Sequence, residues 1–321
     1  MISTVVGSYP VVVEKNNNPR RNRILSVFTG NDSCKIAIRH AVESQLKAGI
    51  DIISDGQVRG EMVEIFAKNI PGFKIEGNTC FINSKINKPY KSIGASDLKL
   101  AIKYMNDFLD KSDMDSKEKA KKGVKGIITG PSTIVQSSRL GSFYKDKNTA
   151  IIDMAYALKD ECISLEKAGA KMIQIDEPFI STGLIDMKIA KKAIDIIVEP
   201  LNTLVSLHSC GNLKDVFKDI ISFNVDIIDG EFAGHPNNLD LLAKYAENIK
   251  EVNKKIGLGV VDTKKPAVES VDEIIDIITK GIAILGKENL YIDPDCGMRL
   301  FSDKIAFLKL KNMVEAMNSF G

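Results

Sequence analysis

The sequence predicts an α/β protein, a (β/α)8 or TIM barrel, from three observations. Eight short runs rich in β-branched residues recur along 321 residues. Each ends in Gly, Pro, Asp or Ser and leads into a longer amphipathic stretch. The runs are almost continuously apolar, as parallel strands buried on both faces must be. A doubly wound sheet is the structural alternative, but eight units are what a closed barrel requires.

In chain order the first four candidate strands are "STVVGS" (3–8), "IDIISDG" (50–56), "VKGIITGP" (124–131) and "KMIQIDEP" (171–178). "TLVSLHSCG" (203–211), "VDIIDGEF" (225–232), "KIGLGVVDT" (255–263) and "LYIDPDCG" (290–297) follow. The intervening helices are illustrated by "AVESQLKAG" (41–49) and "ALKDECISLEKAGA" (157–170), with apolar residues near 3.6 spacing and glycine at or near the end. Residues 68–123 are long for one connection, and "GFKIEGNTCFINSKINKPY" (72–90) reads as a hairpin inserted after the second strand. No linker, low-complexity tract or repeat divides the chain, so residues 1–321 are expected to form a single catalytic barrel carrying that insertion.

Composition narrows the function. Apolar residues make up 44% and charged residues 27%, ordinary values for a soluble globular protein. A net charge of +2 gives no reason to expect nucleic acid or an anionic membrane as partner. No apolar stretch approaches the ~20 residues that span a bilayer. The opening "MISTVVGSYP" lacks a basic segment of the secretory kind. With five widely spaced cysteines, the expected setting is a reducing cytoplasm, where cysteines are thiols or metal ligands.

Polar residues collect at the strand ends: Ser8, Asp55, Thr129, Asp176, Glu177, His208, Cys210, Glu231, Asp262, Asp295 and Cys296. In a parallel barrel these ends converge on one mouth, where chemistry is done. His208 and Cys210 are two apart, so on a strand they face the same space. Glu231 ends the next strand and Cys296 the eighth. Two thiolates, an imidazole and a carboxylate suit Zn²⁺ better than Mg²⁺ or Ca²⁺. Cys34, Cys80 and Cys162 read as small core residues, His40 as a helix-packing residue and His235 as an ordinary loop histidine.

The motifs "VVGSYP", "SDGQVRGEMVEIF", "GIITGPSTI", "QIDEP", "LHSCGN" and "DPDCGMRL" resemble the catalytic domain of cobalamin-independent methionine synthase, from residue 3 to about 316. The likeness is greatest to the short, single-barrel archaeal form, which lacks the N-terminal barrel of full-length members. The resemblance implies zinc on His208, Cys210, Glu231 and Cys296. It implies a homocysteine site at Val6, Gly7 and Ser8, with Asp176 pairing with the substrate ammonium. Capping of the following helix is the competing role for Asp176. Three positions depart from the family pattern. Gln57 stands where the family has a substrate-contacting Glu, and Lys264 where it has a general-acid His. A pterin-flanking Trp falls near Ser137, in a chain with no Trp.

The implied reaction is methyl transfer to the thiol of L-homocysteine, giving methionine. A free thiol is only a few per cent thiolate at neutral pH, and binding to zinc deprotonates it. The substrate sulfur is expected to displace or lengthen one ligand, most plausibly Glu231. A methylated pterin leaves as an amine that needs a proton, whereas a corrinoid leaves as Co(I) and needs none. The missing His and Trp therefore lead to the expectation of a methylcorrinoid donor, methylcobalamin or a corrinoid protein. Lys264 could serve as the acid if burial lowered its pKa. Another thiol acceptor such as coenzyme M, a methylated pterin donor, and a purely structural metal in a docking module are the alternatives.

Overall fold

The computed structural model describes residues 1–11 and 33–321. Every β-rich run overlaps a strand, the first by Ser3 alone. β1 (Ile2–Ser3) and β2 (Ile52–Ile53) are the short ones. β3 (Phe73–Glu76) and β4 (Thr79–Ile82) pair antiparallel. β5 (Gly123–Thr129), β6 (Arg139–Leu140), β7 (Met172–Asp176) and β8 (Leu204–Ser209) follow. β9 (Ile227–Glu231), β10 (Lys255–Val261) and β11 (Leu290–Pro294) complete the set. The parallel sheet runs β1-β11-β10-β9-β8-β7-β5-β2, and a parallel bridge from Thr4 to Ile52 brings its ends together as a TIM barrel.

The inserted hairpin occupies the first half of the expected segment. Gly77, at φ 57°, opens the two-residue turn between β3 and β4. Residues 83–90 hold no strand; instead β6, which lies after the third barrel strand in sequence, pairs parallel with β4. The rest of the long connection is filled by helices Ala95–Leu109 and Ser116–Lys121. The second begins with a capping box, Asp115 accepting from the Glu118 amide while the Glu118 side chain reaches back to the Asp115 amide.

The barrel helices stop where the sequence says they should. Gly49 and Gly169, at φ 95° and 100°, follow helices Ser33–Lys47 and Lys147–Lys167. A side chain is strained in that region of backbone space and glycine is not. Helix Val271–Leu285 buries Ile274, Ile278, Gly281 and Leu285, one stripe that packs onto the sheet.

Period 2 along the strands builds the barrel interior in layers. Ile173 and Ile175, Val205 and Leu207, Leu290 and Ile292 join the main core with the helices. The alternate residues form a separate small apolar cluster, Ile52, Met172, Ile227 and Tyr291. Two residues along from three of these stand Gln174, Asp229 and Asp293, all at most 1% exposed. Two further along stand Asp176, Glu231 and Asp295. The interior thus passes from an apolar floor to a polar mouth within one strand length.

Candidate functional site

His208, Cys210 and Cys296 come together at that mouth, their ligand atoms all within 4.8 Å of one another. His208 is the penultimate residue of β8, and Cys210 lies just past the strand end. Cys296 follows β11, which lies three strands away around the barrel. Among the described residues this is the group of histidine, cysteine and carboxylate side chains close enough to share a metal ion.

The imidazole is held from behind. His208 Nδ1 lies 3.0 Å from Asp229 Oδ1, so the ring donates there and turns Nε2 toward the sulfurs. Asp229 fits because residue 257 is glycine: a Cβ there would lie 2.8 Å from the Asp229 Cβ. His208 Nε2 is buried and without a hydrogen-bond partner, an arrangement a protein interior rarely tolerates. Burial resists charging of the ring, but the Asp229 carboxylate and the Cys296 thiol outweigh it and raise its proton affinity well above the usual range. The sulfurs are unequal. A hydrogen bond from Cys296 lowers the Cys210 pKa, while the same contact, together with burial, pushes Cys296 up.

Glu231 ends β9 beside this group without joining it. Its Oε2 accepts from the Gly211 amide at 2.9 Å and its Oε1 from Lys264 Nζ at 2.5 Å. Burial pulls the Lys264 pKa down, but pairing with Glu231 more than compensates, so the net shift is upward. The lysine therefore does not have the lowered pKa that a substitute general acid was expected to need. Asp295 gathers the amides of Phe232, Ala233 and Gly234, pinning the loop after β9 to the Cys296 loop. Burial nevertheless pushes its pKa to about 8.

A pocket of about 300 Å³ opens over the cysteines. His208, Cys210 and Cys296 line it together with Val6, Ser8, Gln57 and Asp176. Gly7, Glu231 and Lys264 stand outside its wall. Gly7 acts from behind: a Cβ there would meet Gln57 Oε1 at 2.7 Å, so only glycine lets that side chain lie flat. Gln57 has φ 47°, and the Arg299 guanidinium, which also reaches Glu61, holds its carbonyl. The lining also includes the apolar Met62, Phe66, Leu98 and Leu165 and the Arg59–Asp97 ion pair.

The two acids of "QIDEP" divide their work. Glu177 caps helix Pro131–Gln136, accepting from the Ser132 and Thr133 amides at 2.9 and 2.8 Å. Asp176 caps nothing; it accepts from Gln174 Nε2 at 2.7 Å and lines the pocket. Burial pushes its pKa to about 6, against the pull of His208 and Lys125. Of the residues read as bland, Cys34 is only half-buried against the core. Cys80 and Cys162 are in the core, His40 pairs with Asp303 at 2.6 Å, and His235 lies off the pocket, 3.3 Å from Lys264. Sequence reasoning missed Lys125, Gln174, Asp229 and Asp293. Their signal was a polar residue in mid-strand, two positions before or after an inward-facing one.

The family model for the cobalamin-independent synthase catalytic domain matches residues 1–319. The methionine synthase of Methanothermobacter thermautotrophicus is 49% identical over 98% of this chain and 99% of its own. That of Methanocaldococcus jannaschii is 44% identical over 98% of each. In fold, the chain is similar to a B12-independent methionine synthase from Shewanella sp. W3-18-1, solved with selenomethionine, with TM-score 0.81 and 21% identity over 99% and 97% of the two chains. This family is cobalamin-independent, which overturns the expected methylcorrinoid donor and with it methylcobalamin or a corrinoid protein as partner. That expectation rested on groups the chain lacks. Ser137, near which a Trp was looked for, is exposed at a helix end and does not line the pocket. No helix among the described residues is long and apolar enough to cross a membrane. The chain belongs to the cobalamin-independent methionine synthase family and is a methyltransferase of that type.

Proposed function

We propose that the chain methylates the thiol of L-homocysteine at a zinc centre held by His208, Cys210 and Cys296, with Glu231 as the neighbouring oxygen donor. The observation that carries this reading is the meeting of three soft ligands within 4.8 Å on the wall of a pocket that also contains Asp176. The donor set suits zinc, and the orphaned His208 Nε2 gains a partner when a metal is bound. A zinc ion held by these residues would keep a bound substrate thiol deprotonated at neutral pH.

The chain's own groups do the rest. Asp229 keeps the His208 proton on Nδ1, so that Nε2 presents a lone pair. Asp176 accepts the substrate ammonium, whose charge holds the carboxyl ionised despite its burial. This acid favours an amino-acid thiol over coenzyme M, which has no ammonium. Gln57 and Ser8 close the same wall and supply neutral hydrogen bonds. Lys264 stays protonated and balances the Glu231 carboxylate. The donor is a methylated pterin, for which Met62, Phe66, Leu98 and Leu165 offer apolar lining.

The test is methionine formation from homocysteine and methyltetrahydrofolate, without cobalamin, alongside zinc content. The expected result is about one zinc per chain and activity lost on chelation and regained with Zn²⁺. Full activity in metal-free protein would overturn the zinc centre. Absence of turnover with any methylated pterin would overturn the donor.

A further inference from the structure

The barrel interior holds a lysine that this chemistry does not use. Lys125, on β5, is 2% exposed, and its Nζ donates to the Val5 carbonyl at 2.5 Å and to Gln174 Oε1 at 2.6 Å. Gln174 is fully buried on β7, two residues before Asp176 and so on the same face. Its Nε2 donates to the Val6 carbonyl at 2.5 Å and to Asp176 Oδ1 at 2.7 Å.

Chemistry fixes which way this amide points. A carbonyl and a carboxylate only accept, so both require the NH2 end, and the amide oxygen is left to face the lysine. Both amide hydrogens are then used, and the amide cannot flip without setting its oxygen against two acceptors. Asp176 Oδ1 is committed to Gln174, which leaves Oδ2 to meet a ligand in the pocket. The same two side chains hold the carbonyls of Val5 and Val6, the backbone that leads into the pocket wall at Val6 and Ser8.

We propose that Lys125 and Gln174 are positioning residues that lock Asp176 and the Val5–Val6 backbone into one unit for recognising an α-ammonium group. The discrimination between amino-acid thiols and other thiols is a property of this relay, with Asp176 as its last member. The inference rests on the assignment of Asp176 to the substrate ammonium. In a Gln174→Glu variant a carboxylate of the same shape faces two acceptors and repels Asp176. In Lys125→Met the amide oxygen loses its anchor and the amide is free to turn.

The experiment compares the affinity of the zinc-loaded full chain for L-homocysteine and for 4-sulfanylbutanoate, which keeps the thiol and carboxylate but lacks the amine. Calorimetry reads both, with zinc content and circular dichroism measured on each variant. Wild-type protein is expected to prefer homocysteine, and Asp176→Asn to abolish that preference. Gln174→Glu and Lys125→Met are each expected to reduce the preference about tenfold or more, as loss of a charge-assisted hydrogen bond does. Affinity for 4-sulfanylbutanoate should stay within about twofold of wild type if zinc is retained. Should Gln174→Glu fail to fold, Lys125→Met and Gln174→Met carry the same comparison. An undiminished preference in these variants overturns the relay while leaving Asp176 in place. An equal loss for both ligands also overturns it, since that is the mark of a structural role. A preference that survives Asp176→Asn refutes the ammonium assignment itself.

Discussion

Two adjoining parts of the pocket wall are built on different foundations. The imidazole and thiols stand on or just beyond β8 and β11, six and five residues long, and β9 beside them carries Asp229 and Glu231. Val6, Ser8 and Gln57 instead follow β1 and β2, two residues each, β1 lying directly beside β11, and these side chains belong to the loops after those short strands. Those loops take their shape from close fits: the bare Cα of Gly7 against Gln57, and Arg299 on the Gln57 carbonyl. A metal centre needs ligands held to within about 0.5 Å, which paired strands provide. A wall that shapes a substrate tolerates looser construction, and loops vary without disturbing the barrel.

Damage at the longer strands should cost most. His208→Ala and Cys296→Ser should each lose bound zinc and methyl transfer, by at least about a hundredfold. The folded circular-dichroism spectrum should persist; a variant that keeps stoichiometric zinc and full turnover would break the comparison. Asp229→Ala, one contact behind the ligand, should weaken zinc about 10- to 100-fold in a chelator competition.

On the loop side the effects should shrink and change character. Gly7→Ala puts a methyl 2.7 Å from Gln57 Oε1 and 2.9 Å from Ile127 Cδ1. That crowding should cost about 1–3 kcal/mol in chemical denaturation and raise the KM for homocysteine while zinc content stays put. Smallest is Glu161→Gln. Glu161 accepts from Ser92 Oγ and from the Ile93 and Gly94 amides ahead of helix Ala95–Leu109. Weakening these charge-assisted bonds should lower stability by about 1–2 kcal/mol, seen as a reduced urea midpoint. A larger loss from Glu161→Gln than from Gly7→Ala would show that the insertion, and not the short strands, governs that wall.

How far these features could be read in advance follows from whether the signal was local. The eight strands were legible because each is a compact β-branched run, and the meeting of His208, Cys210 and Cys296 because histidine and cysteine are rare in this chain. The helix ends were legible from Gly49 and at Gly169, one residue inside the run as written. The pairing of β6 with β4 was not, because Arg139 and Leu140 carry no strand signature and owe their extended shape to a neighbour some 60 residues back. Asp229, Gln174 and Lys125 were passed over for a different reason. Nothing in the sequence says which mid-strand polar residue will face a ligand across the barrel; that depends on the register placing His208 opposite Asp229. The donor was misjudged because missing side chains were treated as a signal, when only those present line a pocket.

The seam between β1 and β11 has a consequence for biosynthesis. Ile2 pairs with Tyr291, and the Met298 amide donates to the Ser8 carbonyl, so the first and last strands share one wall. A ribosome that has made Val6–Ser8 adds Gln57 early, but must translate on to Met298 before the neighbour that holds the Ser8 carbonyl emerges. Closing a loop of that length is slow compared with local helix formation. The nascent chain therefore carries an open cleft until late in its synthesis, and Cys210 and Cys296 meet beside His208 only when β11 has left the exit tunnel.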